Sequence, residues 1–515
     1  MKTLVTWIAG TTLSALASAS FAAAIVEGGP VNETAAGAEL FQTNCIHCHN
    51  GSVPKAPHAI SFNMMSTGSI VSAITEGVMR QQAAHLSQEE RVQIAQYLSG
   101  AVDSVAHEVK ACATDFTPVL AETSPPWNGW GGGIRNQRFQ EAELAGINLN
   151  TVDQLELKWA FAYPGATRAR SQPLVHGNTV FVGSQQGTVY ALDLSSGCAH
   201  WQYDAGAEVR NGLTVAHLES QSDPVLFFGD FSARVHAISA RTGMSLWKSS
   251  VATHADATIT GSVKYHEGRL YVPISSSEWA TAADPGYACC TFRGSVAALD
   301  ATDGGLLWNS FVIPTPPSET GELNSAGAKR VAPAGAPVWN SPTIDTKRGL
   351  LYVGTGESYT SPAAKASDAV VAMRLDDGAI VWTQQLMAGD AWNMACFIGG
   401  GGNCPEENGP DLDIGASTIL WQGKNRDLVL VGQKSGDVYA LDPSANGQTV
   451  WHQKLGRGGY AGGVHWGMTA NKDTLFVPIA DTYFPGLPEG EAFPGLHALN
   501  PTTGAVRWYT PALDQ

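Results

Sequence analysis

Two thiols and an imidazole stand together near the N-terminus, in "NCIHCHN", where Cys45, Cys48 and His49 read C-x-x-C-H. At this spacing both thiols can bond the vinyl groups of one haem while the adjacent imidazole meets the iron, the attachment pattern of c-type haem. The rival chemistry is a disulfide or a zinc knuckle beside an ordinary histidine, but no second ligand pair follows at zinc spacing. The iron takes a sixth ligand, and a methionine thioether there raises the haem potential. Met79 lies in "EGVMRQQAAHL", just ahead of a helix expected to open with Ser87 as N-cap and Glu90 three residues on. Met64 and Met65 are rivals for the iron, and His58 is a weaker one. Each methionine taken singly could equally fill a core.

Cys289 and Cys290 are adjacent. Neighbouring Cα atoms lie ~3.8 Å apart across a trans peptide, below the ~4.4–6.8 Å of ordinary disulfides, so a bond between them would tie no distant segments together. Cys396 and Cys404 are placed to close the loop "CFIGGGGNC". Cys112 and Cys198 are left over and could pair, with connectivity open.

The elements that carry these groups divide the 515 residues into unlike parts. Lys2, an apolar run from Leu4 and small residues at 22–24 read as a secretory signal peptide over 1–24, which sends the chain to the periplasm, where disulfides persist. No later stretch is apolar enough for stable membrane insertion. A net charge of −16, from 46 acidic against 30 basic residues, argues against nucleic acid or an anionic membrane as partner. It suits a positively charged redox partner. Residues 30–102 read as an all-α cytochrome c domain, 103–125 as a linker and 126–515 as a β-rich domain.

That last domain repeats. "VYALDLSSGCAHW", "VHAISARTGMSLW", "VAALDATDGGLLW", "VVAMRLDDGAIVW", "VYALDPSANGQTVW" and "LHALNPTTGAVRW" each give a strand, a polar turn with glycine and a second strand ending in tryptophan. Trp159 precedes them without its first half. Successive tryptophans are 42, 46, 61, 74, 69 and 57 residues apart, so some turns carry long insertions. Four-strand units at this period imply a mainly β, propeller architecture, with insertions gathering on one face where sites tend to sit. Trp159 reads as the outer strand of a closing blade, whose inner strands the seven residues after Trp508 are too few to supply. The chain therefore reads as a fragment lacking a C-terminal blade, or as one that closes imperfectly.

The A-L-D-x-x-x-G-x-x-x-W repeat over roughly residues 125–510 resembles the quinoprotein alcohol dehydrogenases, eight-bladed enzymes holding pyrroloquinoline quinone (PQQ) and Ca²⁺ on the propeller axis. With a haem segment in front, the chain is most similar to the polyvinyl alcohol dehydrogenases of that family. The resemblance implies roles. "LYVPISSSEW" makes Glu278 a calcium ligand. "PVWNSPTIDTKRGLLYVGTGES" makes Trp339 the floor under the quinone and puts Glu357 where the family has an asparagine ligand; a carboxylate remains a hard oxygen donor for Ca²⁺. "LMAGDAWNMAC" makes Asp390 the catalytic base beside the ion, and "VGQKSGDVYALD" sets Lys434 at the quinone carbonyls. "AEVRNGLTV" offers Arg210, "TITGS" Thr260 and "GGVHWGM" Trp466 to the quinone. The family caps its quinone with a ring of adjacent cysteines, the part Cys289 and Cys290 would play, although the family's pair comes from an earlier blade and this one follows Glu278.

The activity implied is oxidation of secondary hydroxyls, on polyvinyl alcohol or a similar polymer, with electrons leaving through haem c to an external cytochrome c or another acceptor. A quinohaemoprotein for small alcohols is the alternative among enzymes. A propeller scaffold without quinone, similar to outer-membrane assembly propellers, has no use for a haem or for adjacent cysteines.

Overall fold

The computed structural model describes residues 36–50, most of 67–99 with single positions before them, and 109–113, 127–166, 168–397, 402–481 and 492–513. The expected signal peptide, Met64 and His58 lie outside the described residues.

Three helices follow one another near the N-terminus: α1 (Ala36–Asn44), α2 (Thr67–Thr75) and α3 (Gln88–Ser99). The start of α3 is the expected capping box. Glu90 N donates to Ser87 Oγ at 3.2 Å, and Ser87 N donates to Glu90 Oε2 at 2.7 Å. Those bonds to the charged form hold the Glu90 carboxyl below its ordinary value. α1 crosses α3 closely at Gly37, where a Cβ would lie 2.1 Å from the Gln93 carbonyl oxygen. Phe41, Ile70, Leu86, Ile94 and Leu98 form the core of this part, with Cys45 and Met65 packed against it. Among the described residues no helix is long and apolar enough to cross a membrane.

From residue 174 the chain is mainly β. Six antiparallel sheets, each with its strands in sequence order, form blade 1 (174–204), blade 2 (214–250), blade 3 (264–311), blade 4 (343–385), blade 5 (419–454) and blade 6 (469–511). Blade 3 adds a short fifth strand, Ala257–Thr258. Five apolar clusters lie between successive blades rather than within them, so each sheet buries its faces on its neighbours.

The repeated tryptophans are the interlocks. Each lies directly across from an alanine of the third strand, as in Ala191 opposite Trp201 and Ala372 opposite Trp382, and the register shifts just beyond that pair in all six blades. Alanine leaves room for the indole to lean onto the following blade. There it covers a turn glycine: Trp201 on Gly243, Trp247 on Gly304, Trp308 on Gly378, Trp382 on Gly447 and Trp451 on Gly504. These glycines have φ of 71–75°, and a Cβ on any of them would come within 2.5–2.8 Å of the ring. Both the left-handed backbone and the missing side chain are therefore required. Trp159 covers Gly197 of blade 1 in the same way and donates its Nε1 to Leu194 O at 3.0 Å. Its own segment forms no strand, which corrects its reading as the outer strand of a closing blade. The docking contact is kept without a sheet around it. Trp508 is 44% exposed.

Residues 127–138 bond in turn to the innermost strand of every blade. Trp127 exchanges backbone bonds with Val175, and the Asn128 side chain bonds Val215. Lys264 Nζ donates to the carbonyls of Trp130 and Gly133, and Ile134, Arg135 and Gln137 accept from Ile344, Leu420 and Ala470. Burial lowers the Lys264 ammonium to about 7. All six other cysteines are paired: Cys112 with Cys198, which ties the 109–113 segment to blade 1, Cys289 with Cys290, and Cys396 with Cys404.

Candidate active site

The first strand of each blade is reached through a loop on one face of the wheel. Arg170, Arg210, Thr260, Trp339, Gly415 and Trp466 come from these six loops, one from each, and together line a single cavity of about 280 Å³. The sequence reading had placed Arg210, Thr260, Trp339 and Trp466 at one ligand, and the structure brings them to one bowl. Trp339 is fixed from two sides. Its carbonyl accepts from Thr260 Oγ1 at 3.1 Å, and its Nε1 donates to Asp413 Oδ2 at 3.0 Å. A Cβ at Gly415 would fall 2.2 Å from the Trp339 ring, so glycine there leaves the indole its place. Trp466, 53% exposed, stands nearly perpendicular to Trp339 with centroids 6.4 Å apart. His465 stacks on Trp466 at 4.4 Å. Burial and the nearby Lys434 charge push His465 down to about 3, which keeps it neutral.

Beside Trp339 lies a buried acidic group. Glu357, Asp411 and Asp413 each offer a carboxylate oxygen within 4.8 Å of the others. Lys434 enters among them, its Nζ 2.8 Å from Asp411 Oδ1, 3.0 Å from Asp413 Oδ2 and 5.5 Å from the Trp339 ring centroid. Burial raises the Asp413 carboxyl, but the Lys434 charge and the bonds from the Glu357 side chain, Lys434 and Glu357 N outweigh it, leaving Asp413 below its ordinary value. Burial also raises Asp411, to about 8, with Lys434 opposing and Asp413 adding to the rise. Glu357 is held well above its usual range by burial and then by the charges of Asp413 and Asp411. Burial disfavours the Lys434 charge, yet the surrounding carboxylates raise it overall. Carboxyls pushed in opposite directions and a fixed cation therefore share the site.

Asp411 and Asp413 are absent from the sequence reading; Asp390, which it includes, adjoins the triad, close enough for its charge to act on Asp411, and Glu278 belongs to a separate hydrogen-bonded group. Asp390 is fully buried, with Oδ1 accepting from Asp411 N at 3.2 Å and Oδ2 from Leu412 N at 2.8 Å. Its carboxyl, raised by burial, shapes the loop that presents Asp411 and Asp413. Glu278 accepts from Tyr287 Oη and from the amides of Thr291 and Phe292 at 2.7–2.8 Å, with His254 Nε2 at 3.4 Å. It thereby holds the loop carrying Cys289 and Cys290. That cysteine pair is buried in the core between blades 2 and 3, and Cys289 lines a different cavity from Trp339. The reason is the backbone: Cys290 N bonds Val331 O and Val331 N bonds Cys289 O, which pins the ring to an inserted hairpin.

In the helical part Cys45 and Cys48 remain free thiols while every other cysteine is paired. Burial, and then Cys48, raises the Cys45 thiol. His49 is buried, its ring 5.0 Å from Phe62. Met79 lies between α2 and α3, its amide bonded to Ala73 O. Two unpaired thiols at C-x-x-C spacing beside a buried imidazole fit covalent haem.

Residues 127–455 match the family described as glucose/ethanol/alcohol dehydrogenase, beta-propeller domain, and residues 32–98 match cytochrome C oxidase, cbb3-type, subunit III. Residues 434–515 also match outer membrane protein assembly factor BamB. The chain is 36% identical over 496 residues to a polyvinylalcohol dehydrogenase of Pseudomonas sp, covering 92% of this chain and 76% of the relative. The chain belongs to the quinohaemoprotein alcohol dehydrogenases. A second polyvinylalcohol dehydrogenase, from Sphingopyxis sp. (strain 113P3), is 34% identical over 97% of this chain and 80% of its own length. The crystal structure of a quinohaemoprotein alcohol dehydrogenase from Comamonas testosteroni shares the fold, with a TM-score of 0.56 at 19% identity over 76% of this chain and 68% of that one. The cofactors of this quinohaemoprotein family are PQQ and haem c, with calcium typical beside the quinone. The residues present fit them: a flat indole and two arginines for a planar polycarboxylate, and three converging carboxyl groups that offer hard oxygen donors to a divalent cation.

Proposed function

We propose that the chain is a periplasmic enzyme that oxidises secondary hydroxyls of polyvinyl alcohol or a similar chain to ketones, with electrons leaving through haem c to an external acceptor. The observation that carries this reading is the single constellation of Trp339, Asp413, Glu357, Asp411 and Lys434. A quinone held in the Trp339 bowl would supply a two-electron acceptor for the carbinol hydride, and a cation a Lewis acid. Glu357, Asp411 and Asp413 would hold the cation, and Arg170 and Arg210 the quinone carboxylates.

The chain's own residues handle the proton. Asp413 is ionised and takes the hydroxyl proton at a carboxylate oxygen, a role worth about 10²–10⁴-fold. Lys434 keeps Asp413 charged and adds a fixed positive charge where negative charge develops. Asp390 is a positioning residue, setting the loop that aims Asp413. Burial of the group excludes water and strengthens each of these interactions. In the helical part Cys45 and Cys48 would anchor the haem, with His49 and Met79 on its iron. Holoenzyme offered a panel from small primary alcohols to polyvinyl alcohol should reduce its haem with secondary alcohols and the polymer. A haem that stays oxidised with every alcohol would leave the propeller as a scaffold.

A further inference from the structure

A second cavity, of about 340 Å³, lies outside the bowl. Its walls come from three successive insertions, those that stretch the tryptophan spacing to 61, 74 and 69 residues. The first gives Cys289, the second Glu322 and Arg330 of the hairpin Ser318–Leu323 and Lys329–Ala332 together with Ser361, and the third Glu407. None of this is needed to build a four-strand blade.

The three insertions are locked to one another by two buried amides. Asn324 Nδ2 donates to Asn403 Oδ1 and to Pro285 O, both at 2.8 Å, and Asn403 Nδ2 donates to Asp284 O at 2.9 Å. Across the cavity Ser361 Oγ donates to Glu407 Oε2, while Ala363 N donates to Glu407 Oε1 at 2.9 Å. The space is thus a built one with fixed walls. Both walls also run directly to the acidic triad. Ser361 is four residues from Glu357, and Glu407 is four from Asp411, a reach of at most ~14 Å of extended chain.

We propose that this cavity is a substrate subsite that holds the hydroxyls flanking the carbinol undergoing oxidation on an extended, uncharged polyhydroxylated chain. The inference rests on the alcohol-oxidising function proposed above and specifies its substrate class. A hydroxyl both donates and accepts. Carboxylates such as Glu322 accept a hydrogen bond from its O–H, and the Arg330 guanidinium donates to its oxygen. The excess of carboxylate over guanidinium repels polyanions, so a polycarboxylate chain of similar length is refused. A small alcohol needs the bowl and the triad alone.

The test uses reduced holoenzyme, which cannot turn over, titrated calorimetrically with a short vinyl alcohol oligomer and with pentane-2,4-diol. Glu322→Trp fills the cavity from an exposed strand position, and Arg330→Ala removes a donor at its wall. Each variant, shown folded by circular dichroism, is expected to weaken oligomer binding about tenfold relative to the diol, the scale of one or two lost hydrogen bonds. Oligomer affinity that is unchanged relative to the diol in both variants overturns the subsite. Wild-type enzyme that oxidises the diol yet binds oligomer no more tightly than diol also overturns it, leaving the alcohol reading intact. Wild-type enzyme that oxidises neither removes the function on which the subsite depends, and the subsite with it.

Discussion

Trp339 Nε1 donates to Asp413 Oδ2 at 3.0 Å. One hydrogen bond therefore joins the flat floor of the bowl to the one carboxylate of the triad held below its ordinary pKa. Displacement of the ring would alter the charge of the base, and protonation of the base would free the ring. Cofactor orientation and proton abstraction are coupled through this contact.

Trp339→Phe keeps a flat ring but removes the donor. A bond to the ionised form of Asp413 is lost, so its pKa rises and the acid limb of the kcat/KM profile shifts to higher pH. Trp339→Ala removes the floor as well and should release PQQ on dialysis, measured by cofactor remaining per haem. An acid limb that does not move in Trp339→Phe would separate ring and base.

Asp411 gives a pH dependence of known sign. Its folded value of about 8 exceeds the ordinary ~3.9 of an unfolded Asp, so the folded state binds this proton more tightly. The stability it contributes is complete below about pH 4 and is lost as pH rises toward 8. Calcium must displace the same proton, so its affinity should climb between pH 6 and 8 with proton release. Calorimetry in two buffers of different ionisation enthalpy reads the released protons directly, and Asp411→Asn should shrink the difference between them, leaving the share that Glu357 releases.

The Cys112–Cys198 bond spans 86 residues and fastens the segment ahead of the propeller to blade 1. Cys112→Ser should cost about 2–4 kcal/mol of stability, read as a lower unfolding midpoint for the propeller. A midpoint equal to that of the wild type would make the bond incidental.

The repeat was legible in the sequence because its physics is periodic: tryptophan, small alanine opposite and left-handed glycine recur at matched positions in blade after blade. The haem pattern and the Ser87–Glu90 cap were legible because both are local. The active-site group was only partly so. Glu278, Glu357 and Lys434 each follow closely on the second strand of a blade, yet sequence alone cannot distinguish a reacting oxygen from one that, as in Glu278 and Asp390, accepts from backbone amides. The available signal was positional. Arg210, Thr260, Trp339 and Trp466 each come from a loop leading into a blade, and the corresponding loop of blade 5 carries "PDLDIGAS" with Asp411 and Asp413. The cysteine ring is pinned by pairing between Cys289–Cys290 and Val331 across about forty residues, which no local pattern encodes.

The most direct test of the account is alcohol-driven haem reduction by stopped flow in Asp413→Asn and Asp390→Asn holoenzymes with equal PQQ content. With Asp413 as the base, Asp413→Asn slows the reduction by about 10²–10⁴-fold, and Asp390→Asn, which perturbs only the loop that aims it, by about tenfold. Near-wild-type reduction in Asp413→Asn with its loss in Asp390→Asn would contradict the account and return the base to position 390.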